Sequence, residues 1–237
     1  MSRSESRVPA RLGAPRAIFL DLDGTLFDRD AAVRALFAQQ YHVFESVLGG
    51  ATREAFVERL LELDAHGHGD KRAAYGTVVR ELGLGAALGD RLNEHFYEIY
   101  PAHGAVFPDV YSTLGELRRR GVGLGLLTNG RTATQEDKLR RLGLEPLFDV
   151  TLISEREGVR KPDRRFFELA LRRAGVAATE AWHVGDHPMA DVAGASSAGL
   201  TAVWRYVPYW PEPASAAATI HALGGLLALL DAARPCH

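Results

Sequence analysis

Short apolar runs bounded by glycine or proline recur along the chain: Ala17–Leu22 between Pro15 and Gly24, then Val122–Leu127, Val150–Ile153, Trp182–Val184 and Thr201–Trp204. Each is too short for a helix and rich enough in aliphatic residues for a strand buried on both faces. Amphipathic segments separate the later runs. Val110, Leu114 and Leu117 repeat at helical spacing within Val110–Arg120, and Thr132–Leu142, Phe166–Ala174 and Met189–Ala198 continue the alternation. Strand and helix in turn predict right-handed crossovers and a mostly parallel sheet covered on both faces. The stretch Ala216–Leu230 is expected to be one last helix, with Ile220, Leu223, Leu227 and Leu230 toward the sheet edge.

One region breaks the rhythm. From about Asp30 to Tyr100 the apolar positions follow helical spacing and no strand is evident. Val33, Phe37, Tyr41, Phe44 and Val47–Leu48 form one stripe, and Phe56, Leu60 and Leu63 a second. Tyr75, Val78, Val79 and Leu82 make a third, and Leu92, Phe96 and Ile99 a fourth. The predicted class is therefore α/β, a Rossmann-like parallel sheet core with an inserted α-helical cap domain. The expected division is a flexible tail over 1–15, a core over 16–27 and 104–237, and a cap over 28–103. Both connections of the insert fall at the carboxyl end of the first strand, where open α/β sheets hold their ligands.

Charge and composition narrow the class further. The 237 residues include 28 Lys and Arg against 30 Asp and Glu, and 46% are hydrophobic, which excludes global disorder. The net charge of −2 argues against nonspecific binding of nucleic acid, though not against a local anion site. No apolar run is long enough for a membrane span. Cys236 is the single cysteine, so an internal disulfide is impossible and a cysteine-based zinc site is not expected. A reducing, cytoplasmic compartment is the corresponding expectation. The first fifteen residues carry three arginines but no apolar block, so they do not read as a secretory leader.

Four segments carry chemistry. In Asp21-Leu22-Asp23-Gly24-Thr25, residues two apart on a strand face the same way, so Asp21 and Asp23 are expected to converge, with Gly24 allowing a sharp exit. Carboxylates so close repel unless a cation or shared proton intervenes. Thr128-Asn129-Gly130 ends the second core strand before a helix whose first N–H groups can bind an anion. Lys161-Pro162 precedes another helix, and Gly185-Asp186 closes the fourth core strand, with Asp191 five positions on. Alone, each is an ordinary turn or helix cap. Together they bring four carboxylates, a hydroxyl, an amide and an ammonium group to strand ends. That set suits phosphoryl transfer through a carboxylate nucleophile with a hard cation.

The four ordered segments resemble the motifs of the haloacid dehalogenase-like superfamily, in the phosphatase branch whose helical cap follows the first motif. The likeness spans residues 16–230. It implies that Asp21 attacks phosphorus, and that Asp23 protonates the leaving alcohol and later deprotonates water. It implies Mg²⁺ held by Asp21 and Asp186 and by the main-chain carbonyl of Asp23, with Asp191 supporting a coordinated water or Lys161. Gly24, Thr128, Asn129 and Lys161 would bind the phosphoryl oxygens. The halide-removing members lack the second aspartate of the first motif, so the presence of Asp23 disfavours dehalogenation.

The implied activity is Mg²⁺-dependent hydrolysis of a small phosphate monoester, such as a nucleotide monophosphate, sugar phosphate, phosphoglycolate or flavin mononucleotide. No nucleic-acid or membrane partner is expected, and the chain would act as a monomer or homodimer. A phosphomutase, a 2-haloacid dehalogenase and a non-catalytic metabolite-binding protein are the rival readings. Among weaker features, His66 and His68 read as a substrate-contacting loop rather than a second metal site. His187 reads as shaping the turn before Pro188, and Trp204–Trp210 as an aromatic loop beside the cleft. Gly121, Gly123 and Gly125 read as allowing close helix–sheet packing.

Overall fold

The computed structural model describes residues 12–233; residues 1–11 of the expected tail, and Cys236, lie outside them. Six parallel strands form one sheet in the order β3-β2-β1-β4-β5-β6. They are β1 (Ala17–Leu20), β2 (Gly123–Thr128), β3 (Val150–Ile153), β4 (Ala181–Gly185), β5 (Thr201–Arg205) and β6 (Ala218–Ile220). β1 is central because it pairs on both sides, Leu20 opposing Leu126 on one and Val184 on the other. Ile18, Phe19 and Leu20 are all fully buried, as a strand covered on both faces requires. Ile18, Leu20, Leu124, Leu126 and Val184 share one apolar cluster; Ala17, Phe19, Leu127, Leu152 and Trp204 share the other.

The core helices are α5 (Val110–Arg119), α6 (Thr132–Arg141), the single turns α7 (Ser154–Glu157) and α9 (Gly194–Ser197), α8 (Arg164–Ala174) and α10 (Gly225–Ala233). The insert holds α1 (Arg29–Phe44), α2 (Arg53–Asp64), α3 (Lys71–Glu81) and α4 (Ala86–Ile99). Asp28, Thr52 and Asp70 each accept a bond from a main-chain N–H three residues on, capping α1, α2 and α3. The stripes led by Phe37, Phe56, Tyr75 and Phe96 pack on one another and join the cluster on one face of the sheet. The chain enters and leaves the insert side by side, with the Asp28 N–H bonded to the Ala105 carbonyl and the Phe107 N–H to that of Leu26.

The structure corrects four sequence expectations. Ala216–Leu230 is not one helix: Ala218–Ile220 pairs with Val203–Arg205 as β6, and α10 starts only at Gly225. The free edge of β5 outweighs the helix preference of the alanines, and Gly224-Gly225 interrupts the stripe. Met189–Ala198 begins as a π-helix, Pro188–Ala193, before α9. β1 stops at Leu20, so Asp21 to Asp23 lie in a turn closed by Leu26 and Phe27 N–H bonds to the Leu22 carbonyl. Strand alternation therefore does not govern the two aspartates. A Cβ on Gly125 would overlap the Phe19 ring of the adjacent strand, so that glycine admits a strand neighbour rather than a helix.

Candidate active site

The strand order reverses between β1 and β4, and the carboxyl ends of these strands carry Asp21 and Asp186. The Asp21 N–H extends the ladder by bonding the Val184 carbonyl at 2.9 Å, which sets its side chain beside β4. The turn that follows needs a glycine. Gly24 has φ +86°, and a Cβ there would stand 2.5 Å from an Asp186 carboxylate oxygen. Gly24 thus lies against Asp186.

Lys161, buried at the entry to α8, donates to Asp21 at 2.5 Å and to Asp191 at 2.6 Å. Asp191 also meets His183 Nε2 at 2.9 Å and accepts from the His187 N–H at 3.1 Å. One carboxylate oxygen from each of Asp21, Asp186 and Asp191 falls within 4.8 Å of the others. Burial, against the pull of Lys161 and aided by Asp191, pushes the Asp21 carboxyl up to about 7. Burial raises Asp186 as well, and Asp21 and Asp191 add to it. Asp191 goes the other way: Lys161 and the His183 hydrogen bond overcome its burial and hold it below the usual range. Lys161 rises in return, since Asp191 and Asp21 outweigh its desolvation. Three hard oxygen donors with one ammonium among them form an anion-rich pocket that fits a hard divalent cation.

Thr128 ends β2, buried, and its hydroxyl accepts from Gln135 at 2.5 Å. Asn129 and Lys161 exchange two hydrogen bonds, the Asn129 amide to the Lys161 carbonyl and the Lys161 N–H to Asn129 Oδ1, both 3.0 Å. This couples the strand end to the lysine, so the two phosphate-binding candidates share one support. Asp23 borders the same cavity, but its carboxylate is not part of the three-oxygen cluster. It is held by Lys138 at 2.6 and 2.7 Å, by Gln135 at 2.8 Å and by the Tyr100 hydroxyl at 2.9 Å. Burial alone would raise Asp23; the Lys138 charge and the bonds from Lys138 and Gln135 prevail and lower it.

Lys138, Gln135 and Tyr100 escaped the sequence reading, as did His183. The available signal was weak: Gln135, Lys138 and Leu139 fall on one face of α6, polar groups where apolar ones would mark a buried side. Also unforeseen is a buried ion cluster of the insert. Asp64 pairs with Arg29 at 2.6 and 2.9 Å and with Lys71, and both cations line the cavity.

The cavity, about 850 Å³, opens between the strand ends and the insert. His66 and His68 line it. His66 stacks on Tyr209 at 3.5 Å between ring centres, and His68 lies 4.2 Å from His187 and 5.7 Å from Trp210. The aromatic loop after β5 therefore meets the insert through the two histidines that line the cavity. His187 Nδ1 accepts from the Met189 and Ala190 N–H groups, each at 3.0 Å, and caps the π-helix after Pro188 begins it.

Comparison with known proteins agrees with this architecture. A model described as haloacid dehalogenase-like hydrolase matches residues 15–199. A phosphoserine phosphatase of Thermus thermophilus is 35% identical over 208 residues, 81% of this chain and 82% of its own. A glyceraldehyde 3-phosphate phosphatase of Methanothermobacter thermautotrophicus is 32% identical over 198 residues, 79% of this chain and 84% of its own. Among solved structures, the HAD-hydrolase YfnB of Bacillus subtilis superposes with a TM-score of 0.77 over 92% of this chain and 99% of its own, at 22% identity.

Proposed function

The chain belongs to the haloacid dehalogenase-like hydrolases, and from that premise we propose that it hydrolyses a small phosphate monoester through a phosphoryl group carried on Asp21. The observation that carries this reading is the separation of two aspartates on one cavity. Asp21 sits in the cation-seeking cluster beside Lys161, while Asp23 has a cation of its own. One is thereby equipped to attack and the other to move protons.

In the first step an Asp21 oxygen bonds to phosphorus while the bond to the ester oxygen breaks, and that oxygen takes its proton from Asp23. Asp23 lies low in the resting site, and an arriving phosphate dianion, a further negative charge beside it, raises its hold on a proton. In the second step water attacks phosphorus, Asp23 receives the proton, and the bond to Asp21 breaks to release phosphate. Lys161 and the Thr128 hydroxyl, with the Asn129 N–H, hold the transferring oxygens. Asp21 and Asp186, with the Asp23 carbonyl, would hold Mg²⁺, and Asp191 keeps Lys161 in line. The bound cation supplies charge neutralisation for a carboxylate approaching a dianion.

The helical insert, residues 28–103, acts as a cap in this reading. Arg29, His68, Lys71, Tyr97 and Tyr100 form its wall of the cavity, which suits metabolites better than folded protein chains. Among the described residues no helix is long and apolar enough to cross a membrane. A panel of phosphorylated metabolites assayed for free phosphate, with Mg²⁺ and with EDTA, tests the proposal. Mg²⁺-dependent phosphate release ranked by kcat/KM is expected. Isomer formation without phosphate release would indicate a mutase, and halide release without metal a dehalogenase.

A further inference from the structure

Lys138 is fully buried, and its Nζ lies 4.9 Å from the centre of the Phe27 ring and 4.8 Å from that of Tyr100. The ring faces attract the ammonium, but burying its charge is costly unless a fixed anion pairs with it. Its partner is Asp23, gripped through both oxygens. Gln135, one helical turn earlier on the same face of α6 and 2% exposed, donates from a single amide nitrogen to Asp23 at 2.8 Å and to Thr128 Oγ1 at 2.5 Å. An amide nitrogen has two protons, so both bonds form at once. Because Thr128 accepts there, its own proton is turned away from Gln135, and the hydroxyl donates only a long bond, 3.5 Å, to the Asn129 carbonyl. The Tyr100 hydroxyl adds a third grip on Asp23 from the end of the insert.

We propose that Lys138 and Gln135 are positioning residues for the proton-transfer step: they aim the Asp23 carboxyl at the leaving-group oxygen and, through Gln135, set the Thr128 hydroxyl in register with it. Tyr100 makes that aim depend on the insert resting against the core. The inference rests on the reading of Asp23 as acid and base. A structural role alone would not require one amide to serve both groups, nor a cation where a leucine would fill the same space.

Leaving-group chemistry tests it. An alkyl phosphate needs a proton on departure, whereas 2,4-dinitrophenyl phosphate does not. Lys138→Met is expected to lower kcat/KM for the alkyl ester by about 100-fold or more, the scale of general acid catalysis, and for the dinitrophenyl ester only a few fold. Equal loss on both esters, or no loss, overturns the proposal. Asp23→Asn is the control. If it too loses equally on both, the acid assignment itself fails; if it splits the esters and Lys138→Met does not, only the present inference fails. Should Lys138→Met not fold, Gln135→Met and Tyr100→Phe decide: each is expected to split the esters in the same direction by a smaller factor, and no split in either overturns the proposal.

Discussion

Lys161 and Lys138 are both buried at the carboxyl end of the sheet, yet Lys161 serves two aspartates with a third carboxylate in reach, whereas Lys138 serves one aspartate that two neutral donors also hold. The first network carries surplus negative charge, and burial pushes Asp21 and Asp186 upward. In the second, the charges balance and Asp23 is held down. Residue type is the same in both; the ratio of carboxylates to cations differs. An unbalanced cluster calls for an added cation and a balanced pair does not, which in the proposed function sets the metal and nucleophile side apart from the proton-transfer side.

The largest effect is expected from breaking the unbalanced side at its centre. Asp21→Asn should reduce phosphate release by about 10⁴-fold or more, as loss of a nucleophile does, with an unchanged circular-dichroism spectrum; residual turnover near the wild-type rate would remove the nucleophile assignment. Lys161→Met should come next. It strips the one cation from Asp21 and Asp191, so turnover should fall about 10³-fold and stability by about 3–5 kcal/mol, as when a buried pair loses one partner. Denaturant titration reads the second quantity.

A variant that lessens the surplus sharpens the comparison. Asp186→Asn should stabilise the metal-free protein at pH 8 by about 1–2 kcal/mol, near the worth of one pKa unit. A carboxyl raised by folding binds more protons folded than unfolded, so its penalty is present at high pH and fades as pH falls through the raised value. The advantage of Asp186→Asn should therefore shrink toward pH 5. Constant or inverted stabilisation across that range would contradict the raised Asp186. In the wild type, Mg²⁺ should raise Tm more at pH 8 than at pH 6, because Asp21, lifted to about 7, must release its proton to bind the ion. The smallest expected effect is that of His187→Ala, which deletes a helix cap outside the carboxylate cluster and should cost about 1 kcal/mol with little change in kcat. A collapse of kcat would give His187 a part in the reaction.

Strand ends were the legible part of this site. Asp21, Thr128 and Asp186 each follow an apolar run, and parallel strands deliver whatever follows such runs to one edge of the sheet. Lys161 became readable only in company with them. Gln135 and Lys138 were hidden because Thr132–Arg141 is polar nearly all round, and nothing local says which polar face turns inward. β6 was hidden because three residues beside alanines lack a strand pattern of their own; pairing with β5 makes the strand. The turn at Asp21–Asp23 failed in another way, since the strand run carries no mark of where its ladder stops.

What the chain alone determined was the inventory and its order: the succession of strands, the insert after the first of them, and the acidic, hydroxyl and ammonium groups placed at strand ends. Local periodicity encodes these, because burial on a strand or helix repeats at fixed intervals. Only the tertiary structure decided which lysine answers which aspartate, and hence which carboxyl is raised and which lowered. Asp23 and Lys138 are 115 positions apart, Asp21 and Lys161 140. Electrostatic energy depends on separation and burial in space, neither of which spacing along the chain records.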